Sequence, residues 1–152
     1  MTSDDQGKGF GGGANSFIYI WNGNTCMKTL GVHEGGFVGA IIWKDGILYS
    51  GGKDGRVNII DCGANYEVKK TLQFPTLIRA IDVMDTKLVV GLRTGSIVES
   101  DMESGEQTTY MQSHNDGEVW GLAMDEQHVY TSGDDNQIKC WDPVTRTCVA
   151  TA

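Results

Sequence analysis

The sequence predicts an all-β chain, a partial β-propeller of about three and a half four-stranded blades, and three observations predict it. The stretch Ala40–Asp61 recurs without a gap as Ala80–Asp101, shifted by forty, and as Gly121–Asp142, shifted by eighty-one. Each copy divides into short β-branched and aromatic segments separated by Gly, Asn and Asp. Glycine supplies 21 of the 152 residues and proline only 2, a balance that suits many tight turns and disfavours long helices.

The elements follow from this pattern. In the first copy Phe17–Asn22 matches Ile138–Asp142, and Cys26–Leu30 is the strand after it. Residues 1–13 are Gly-rich and predict at most a turn and part of one strand. The second copy predicts strands at Phe37–Trp43, Ile47–Ser50, Val57–Asp61 and Glu67–Gln73. The third predicts Leu77–Val83, Lys87–Gly91, Ser96–Ser100 and Gln107–Gln112, and the fourth Glu118–Met124, His128–Ser132, Gln137–Trp141 and Thr147–Thr151. Asp54-Gly55 and Asp135-Asn136 sit at the middle hairpins, where these residues adopt positive φ cheaply. The expected organisation is therefore residues 1–32 as the end of a first blade with outer strands only. Residues 33–73 form a second blade, 74–113 a third, degenerate one, and 114–152 a fourth. Together they form one fragment of a larger propeller domain.

Composition narrows the function classes. The formal charge of −8 argues against a nucleic-acid module. Residues 1–98 hold ten Lys or Arg against nine Asp or Glu, whereas Thr94 to Ile138 holds ten acidic residues and no basic one. A solvated face is the simple reading of that stretch; repulsion of acidic partners is the functional one. The longest apolar run, Phe37–Trp43, is far short of the ~20 residues of a membrane span, and no signal peptide is visible. Cys26, Cys62, Cys140 and Cys148 show neither C-x-x-C pairs nor zinc spacing, as expected of reduced thiols in the cytoplasm. No cofactor or metal is expected.

His114, Thr131, Asp135 and Trp141 stand where a side-chain hydrogen-bond network ties an inter-blade loop to a middle hairpin. The second copy keeps His33, Ser50 and Asp54 but has Ile60 for the tryptophan, so its network is expected to be partial. The third has Gln73, Val90, Thr94 and Ser100 there, and its network is expected to be lost. A catalytic reading would make Thr131 a nucleophile beside a His114–Asp135 dyad, but repetition at blade spacing explains the same residues as structure. Gly7-Lys-Gly-Phe-Gly-Gly12 satisfies a dinucleotide-loop pattern by letter, yet no helical pattern follows it. Trp43 and Trp120 fall within predicted inner strands, where core packing is the expected role and a partner-facing aromatic the alternative.

Several runs resemble one family: His33-Glu-Gly-Gly36, Ser50-Gly-Gly-Lys-Asp-Gly-Arg56, Pro75-Thr-Leu-Ile-Arg79, Leu88-Val-Val-Gly91 and Asp116-Gly-Glu-Val-Trp-Gly-Leu-Ala123. In this order, over about Asn15 to Asp142, they are similar to WD-repeat proteins of the echinoderm microtubule-associated protein-like family. The resemblance implies a non-catalytic scaffold that binds microtubules or tubulin and organises the cytoskeleton of spindle or axoneme. It implies a location in the cytoplasm, on microtubules, or in the cilium. Tubulin's surface is acidic, so Lys53, Arg56, Lys69, Lys70, Arg79 and Arg93 are the expected contact residues. The missing blades of the same propeller and other proteins are the further expected partners, with neither nucleic acid nor membrane among them. The alternative is a generic protein-interaction propeller without direct tubulin contact.

Overall fold

The computed structural model describes residues 1–110, His114 and residues 117–152. All sixteen elements among them are strands, arranged as four four-stranded antiparallel sheets. The chain divides into two compact units, Met1–Ile78 and Arg79–Ala152.

In the first unit one sheet runs β1 (Thr2–Ser3), β2 (Lys8–Gly12), β3 (Phe17–Asn22) and β4 (Thr25–Gly31). This corrects the expectation that the first blade has outer strands only. Glycines that resemble loop punctuation are strand residues here: β2 pairs with β3 from Lys8↔Asn22 to Gly12↔Ile18. At Gly12 the absence of a side chain is required because a neighbour approaches closely. A Cβ on Gly12 would stand 2.8 Å from that of Val38. Asp4 closes the β1–β2 turn by accepting the backbone N–H groups of Gln6 and Lys8. The second sheet is β5 (Val38–Lys44), β6 (Ile47–Gly52), β7 (Arg56–Asp61) and β8 (Glu67–Gln73). Phe10, Ile18, Ile20, Leu30, Leu48 and Ile60 form the buried core of this unit, with Trp43 and Tyr66 packed against it.

In the second unit the third sheet is β9, which begins at Ile78 (Ile78–Met84), β10 (Lys87–Leu92), β11 (Ile97–Asp101) and β12 (Gln107–Thr109). The expected final strand reached Gln112; Met111 and Gln112 lie outside the described residues. The fourth sheet is β13 (Val119–Met124), β14 (Val129–Gly133), β15 (Ile138–Asp142) and β16 (Thr147–Thr151). Val89, Ile97, Tyr110, Val119, Val129 and Trp141 form the buried core of this unit.

One junction recurs. In the first three sheets the second strand carries a glycine, and the first residue of the next sheet's inner strand fills the space: Val38 on Gly12, Ile78 on Gly51, Val119 on Gly91. The separation at Gly51 and Gly91 would leave 2.5 to 2.6 Å between a new Cβ and the neighbouring side chain, so no larger residue fits. A second recurrence sits at the third hairpin of the last three copies. Asp61, Asp101 and Asp142 each accept two backbone N–H groups of the following turn. Those bonds hold all three carboxyls below the ordinary range.

Candidate functional site

The best-defined polar constellation starts on the loop before the fourth sheet. His114 is buried, with Nδ1 2.7 Å from Asp135 Oδ1 and Nε2 2.9 Å from Thr131 Oγ1. The Trp141 indole N–H donates to the same Thr131 oxygen at 2.9 Å. One proton arrangement satisfies every group: indole to hydroxyl, hydroxyl to Nε2, and Nδ1–H to carboxylate. Thr131 is 2% exposed, and in this arrangement its hydroxyl proton is directed at the ring, so it offers no approach to a substrate. The arrangement ties loop, middle hairpin and third strand together.

Burial would raise the Asp135 carboxyl, but His114, the Gln137 backbone N–H and Lys139 outweigh it and hold it at about 2, against an ordinary 3.8. The folded value lies below the unfolded one. The stabilisation is therefore complete above about pH 4 and lost as pH falls through about pH 2. Urea titrations at stepped pH are expected to show the denaturation midpoint falling across that window, and Asp135→Asn is expected to flatten part of the slope. A midpoint as steep in Asp135→Asn as in the parent would place the acid sensitivity elsewhere.

In the second sheet His33 Nδ1 lies 3.1 Å from Asp54 Oδ1 and Nε2 lies 2.8 Å from Ser50 Oγ. Ile60, fully buried, occupies the tryptophan position. A residue outside the expected set compensates: buried Asn58 donates to the Val32 carbonyl and accepts from Thr71. In the third sheet Val90 and Ser100 are fully buried, and Gln73 donates to backbone carbonyls of Asp54 and Phe74. A different cluster stands there. Glu99, 7% exposed, accepts from the Tyr110 hydroxyl at 2.8 Å and pairs with Lys87 and Arg146, each at 3.3 Å. Burial, with Glu99 beside it, pushes the Tyr110 phenol up. No spacing rule flags these residues, because the cluster is not repeated and draws Arg146 from the following copy.

The six expected contact cations are dispersed. Lys53 is exposed, and Arg56 pairs with Glu34 at 3.6 Å. Lys69 lies between Asp61 and Glu67, and Lys70 is half-buried beside it on β8. Arg79 and Arg93 share one carboxylate, that of Glu118. Trp43 packs on the first core as expected. Trp120 departs from the core-packing expectation: it is 53% exposed, at a bulge between Val119 and Gly121 that turns it out of the strand alternation. Gly7–Gly12, the pattern dismissed as a dinucleotide loop, overlaps strand β2. The four cysteines are free, and among the described residues no group of three His, Cys, Asp or Glu is placed to hold a metal.

Residues 105–142 match the family model described as WD domain, G-beta repeat. The chain is 47% identical, over 98% of its length, to the ciliary WD repeat-containing protein ctxp80 of Euplotoides octocarinatus, and covers 21% of that protein. It is 34% identical over 86% of its length to the 77 kDa echinoderm microtubule-associated protein of Lytechinus variegatus, again covering 21%. The chain thus spans about a fifth of the length of these curated relatives. Among solved structures, a chain of the mitotic checkpoint complex superposes with a TM-score of 0.86 at 24% identity, over 100% of this chain and 49% of that one. The computationally designed Ika8 protein gives 0.79 at 19% identity, over 98% and 46%. These likenesses, with the four sheets, make the fold that of a partial WD-repeat propeller.

Proposed function

We propose, from the premise that the chain belongs to the echinoderm microtubule-associated protein-like family of WD-repeat proteins, that it is a non-catalytic scaffold whose partner is the microtubule. The observation that carries this reading is the 47% identity over nearly the whole chain to a ciliary WD-repeat protein, joined by 34% identity to a microtubule-associated one. Its place is the cytoskeleton, in the cytoplasm or the cilium, and its blades join further blades of the same propeller.

Charge argues which part meets tubulin. Residues 1–78 carry seven Lys or Arg and seven Asp or Glu, whereas residues 79–152 carry five against thirteen. An acidic partner is repelled by the second set and accepted by the first. Contact therefore runs through Lys53, Arg56, Lys69 and Lys70. Arg79 and Arg93 share the Glu118 carboxylate and belong to the acidic second set, so they contribute less.

Co-sedimentation with polymerised tubulin tests this. The chain is expected to pellet with microtubules at low salt and to be released as salt screens the contact. Lys53→Glu with Lys70→Glu is expected to lower the bound fraction by about threefold or more. A chain that stays in the supernatant at every salt concentration would overturn the reading.

A further inference from the structure

Lys53, Arg93 and Asp134 occupy one position in three successive copies of the repeat, at the start of the middle hairpin. The next element meets each differently. Arg93 pairs with Glu118 at 3.4 Å, and Asp134 accepts the Glu118 backbone N–H and the Trp120 indole N–H. The residue that corresponds to Glu118 one repeat earlier is Leu77, which is buried and brings no charge. Lys53 is exposed and, among the described residues, forms no ion pair. The repeats before and after it are both present in the chain, so its exposure is read with its neighbours in place. The adjacent carboxylate, Asp54, is turned away: it faces His33 and accepts the backbone N–H groups of Glu34 and Arg56.

The ammonium is free, but the stem that carries it is not. The Lys53 backbone N–H donates to the Phe37 carbonyl at 3.0 Å. Its side chain crosses Gly36, where a Cβ would stand 2.5 Å from the lysine Cδ and 3.4 Å from its Cβ and Cγ. Gly36 itself has φ +150°, and Ser16 fixes it: the serine hydroxyl donates to the Gly36 carbonyl and accepts its N–H at 2.9 Å. A lysine stem laid along backbone gives up part of its rotamer freedom in advance, so less is lost when a partner binds.

We propose that Lys53 is the anchor cation through which the chain meets a glutamate-bearing segment of its partner, and that Gly36 and Ser16 are the residues that position it. This deepens, and rests on, the reading of the partner as an acidic surface. It ranks Lys53 above Arg56 and Lys69, whose charges already face Glu34, Asp61 and Glu67.

The probe is a decapeptide of alternating Gly and Glu, titrated at low salt into the nitrogen-labelled 152-residue chain. In proton–nitrogen spectra the amides of Lys53, Gly36 and Phe37 are expected to shift. Lys53→Gln is expected to weaken binding by about threefold or more, and Lys53→Arg to keep it. Arg93→Gln, at the same repeat position but already paired, is expected to stay within about twofold of the parent. Gly36→Ala displaces the stem and is expected to weaken binding by about twofold or more. In the Lys53→Gln background the same change is expected to add nothing, because a positioning residue acts only through the group it positions. If Gly36→Ala does not fold, Ser16→Ala takes its place in the cycle. Shifts confined to other residues, unchanged binding by Lys53→Gln, or equal loss from Gly36→Ala with and without Lys53 would each overturn the proposal. Co-sedimentation of the same proteins separates it from the microtubule reading. Parent and Lys53→Gln that pellet alike overturn the anchor and leave that reading standing. A parent that never pellets yet binds the peptide through Lys53 supports the anchor and overturns the reading.

Discussion

Trp141→Ala is expected to cost about 3–5 kcal/mol of stability, the range for deleting a large buried aromatic. The ring is 3% exposed and meets Tyr110 edge-on with centroids 6.4 Å apart, inside the cluster of Val89, Ile97, Val119 and Val129. Its truncation opens a cavity that strands on either side cannot close without breaking their pairing. It also removes the donor that orients the Thr131 hydroxyl toward His114. A domain stabilised by ~5–15 kcal/mol is left near its margin by such a loss. Trp141→Phe keeps most of the ring contact and gives up one hydrogen bond, so about 1–2 kcal/mol is expected. Urea unfolding followed by circular dichroism measures both. Equal costs for the two variants would mean that the hydrogen bond, and not the packing, carries the residue's contribution.

Gly95→Ala is the second substitution with a large expected effect, about 2–4 kcal/mol. Its φ of +76° already costs an L-residue ~1–2 kcal/mol. The new Cβ would also stand 2.8 Å from the His114 carbonyl oxygen and 2.9 Å from that of Gly117. Backbone oxygens cannot rotate away as a side chain would. Gly55 holds the same position one repeat earlier, again with positive φ and carbonyl oxygens of Phe74 and Thr76 at 2.8 and 3.0 Å. In the fourth sheet Asn136 takes the position with φ +58°, so space for a Cβ exists there. Asn136→Gly is therefore expected to leave the melting temperature nearly unchanged, while Gly95→Ala lowers it by several degrees. A Gly95→Ala protein that melts like its parent would show that the hairpin relaxes around the new methyl.

The repeat made the strand order legible, since a pattern printed three times averages out local ambiguity; most predicted strands fall within one or two residues of the observed ones. The His114 and His33 constellations were legible for the same reason. Strand β2 was not: glycine marks a turn and a close approach equally, and at Gly12 only the position of Val38 distinguishes them. Asn58 with Thr71, and Glu99 with Tyr110, Lys87 and Arg146, were hidden because compensation is local to one copy and its partners come from other strands. Charge spacing could not reveal that Arg79 and Arg93 converge on Glu118, which depends on how far apart the strands that bear them lie.

The glycine sockets at Gly12, Gly51 and Gly91 bear on how the protein is made. Each is filled by a residue roughly thirty positions later in the chain, by Val38, Ile78 and Val119 in turn. A ribosome adding ~5–20 residues per second delivers each filling residue within seconds of its socket. Closing so short a loop costs little entropy, and strand pairing within a sheet needs even shorter ones. Synthesis can therefore lock each junction before the next is translated, in the order of the message, and a stall between Gly91 and Val119 would leave one open groove for a chaperone to cover.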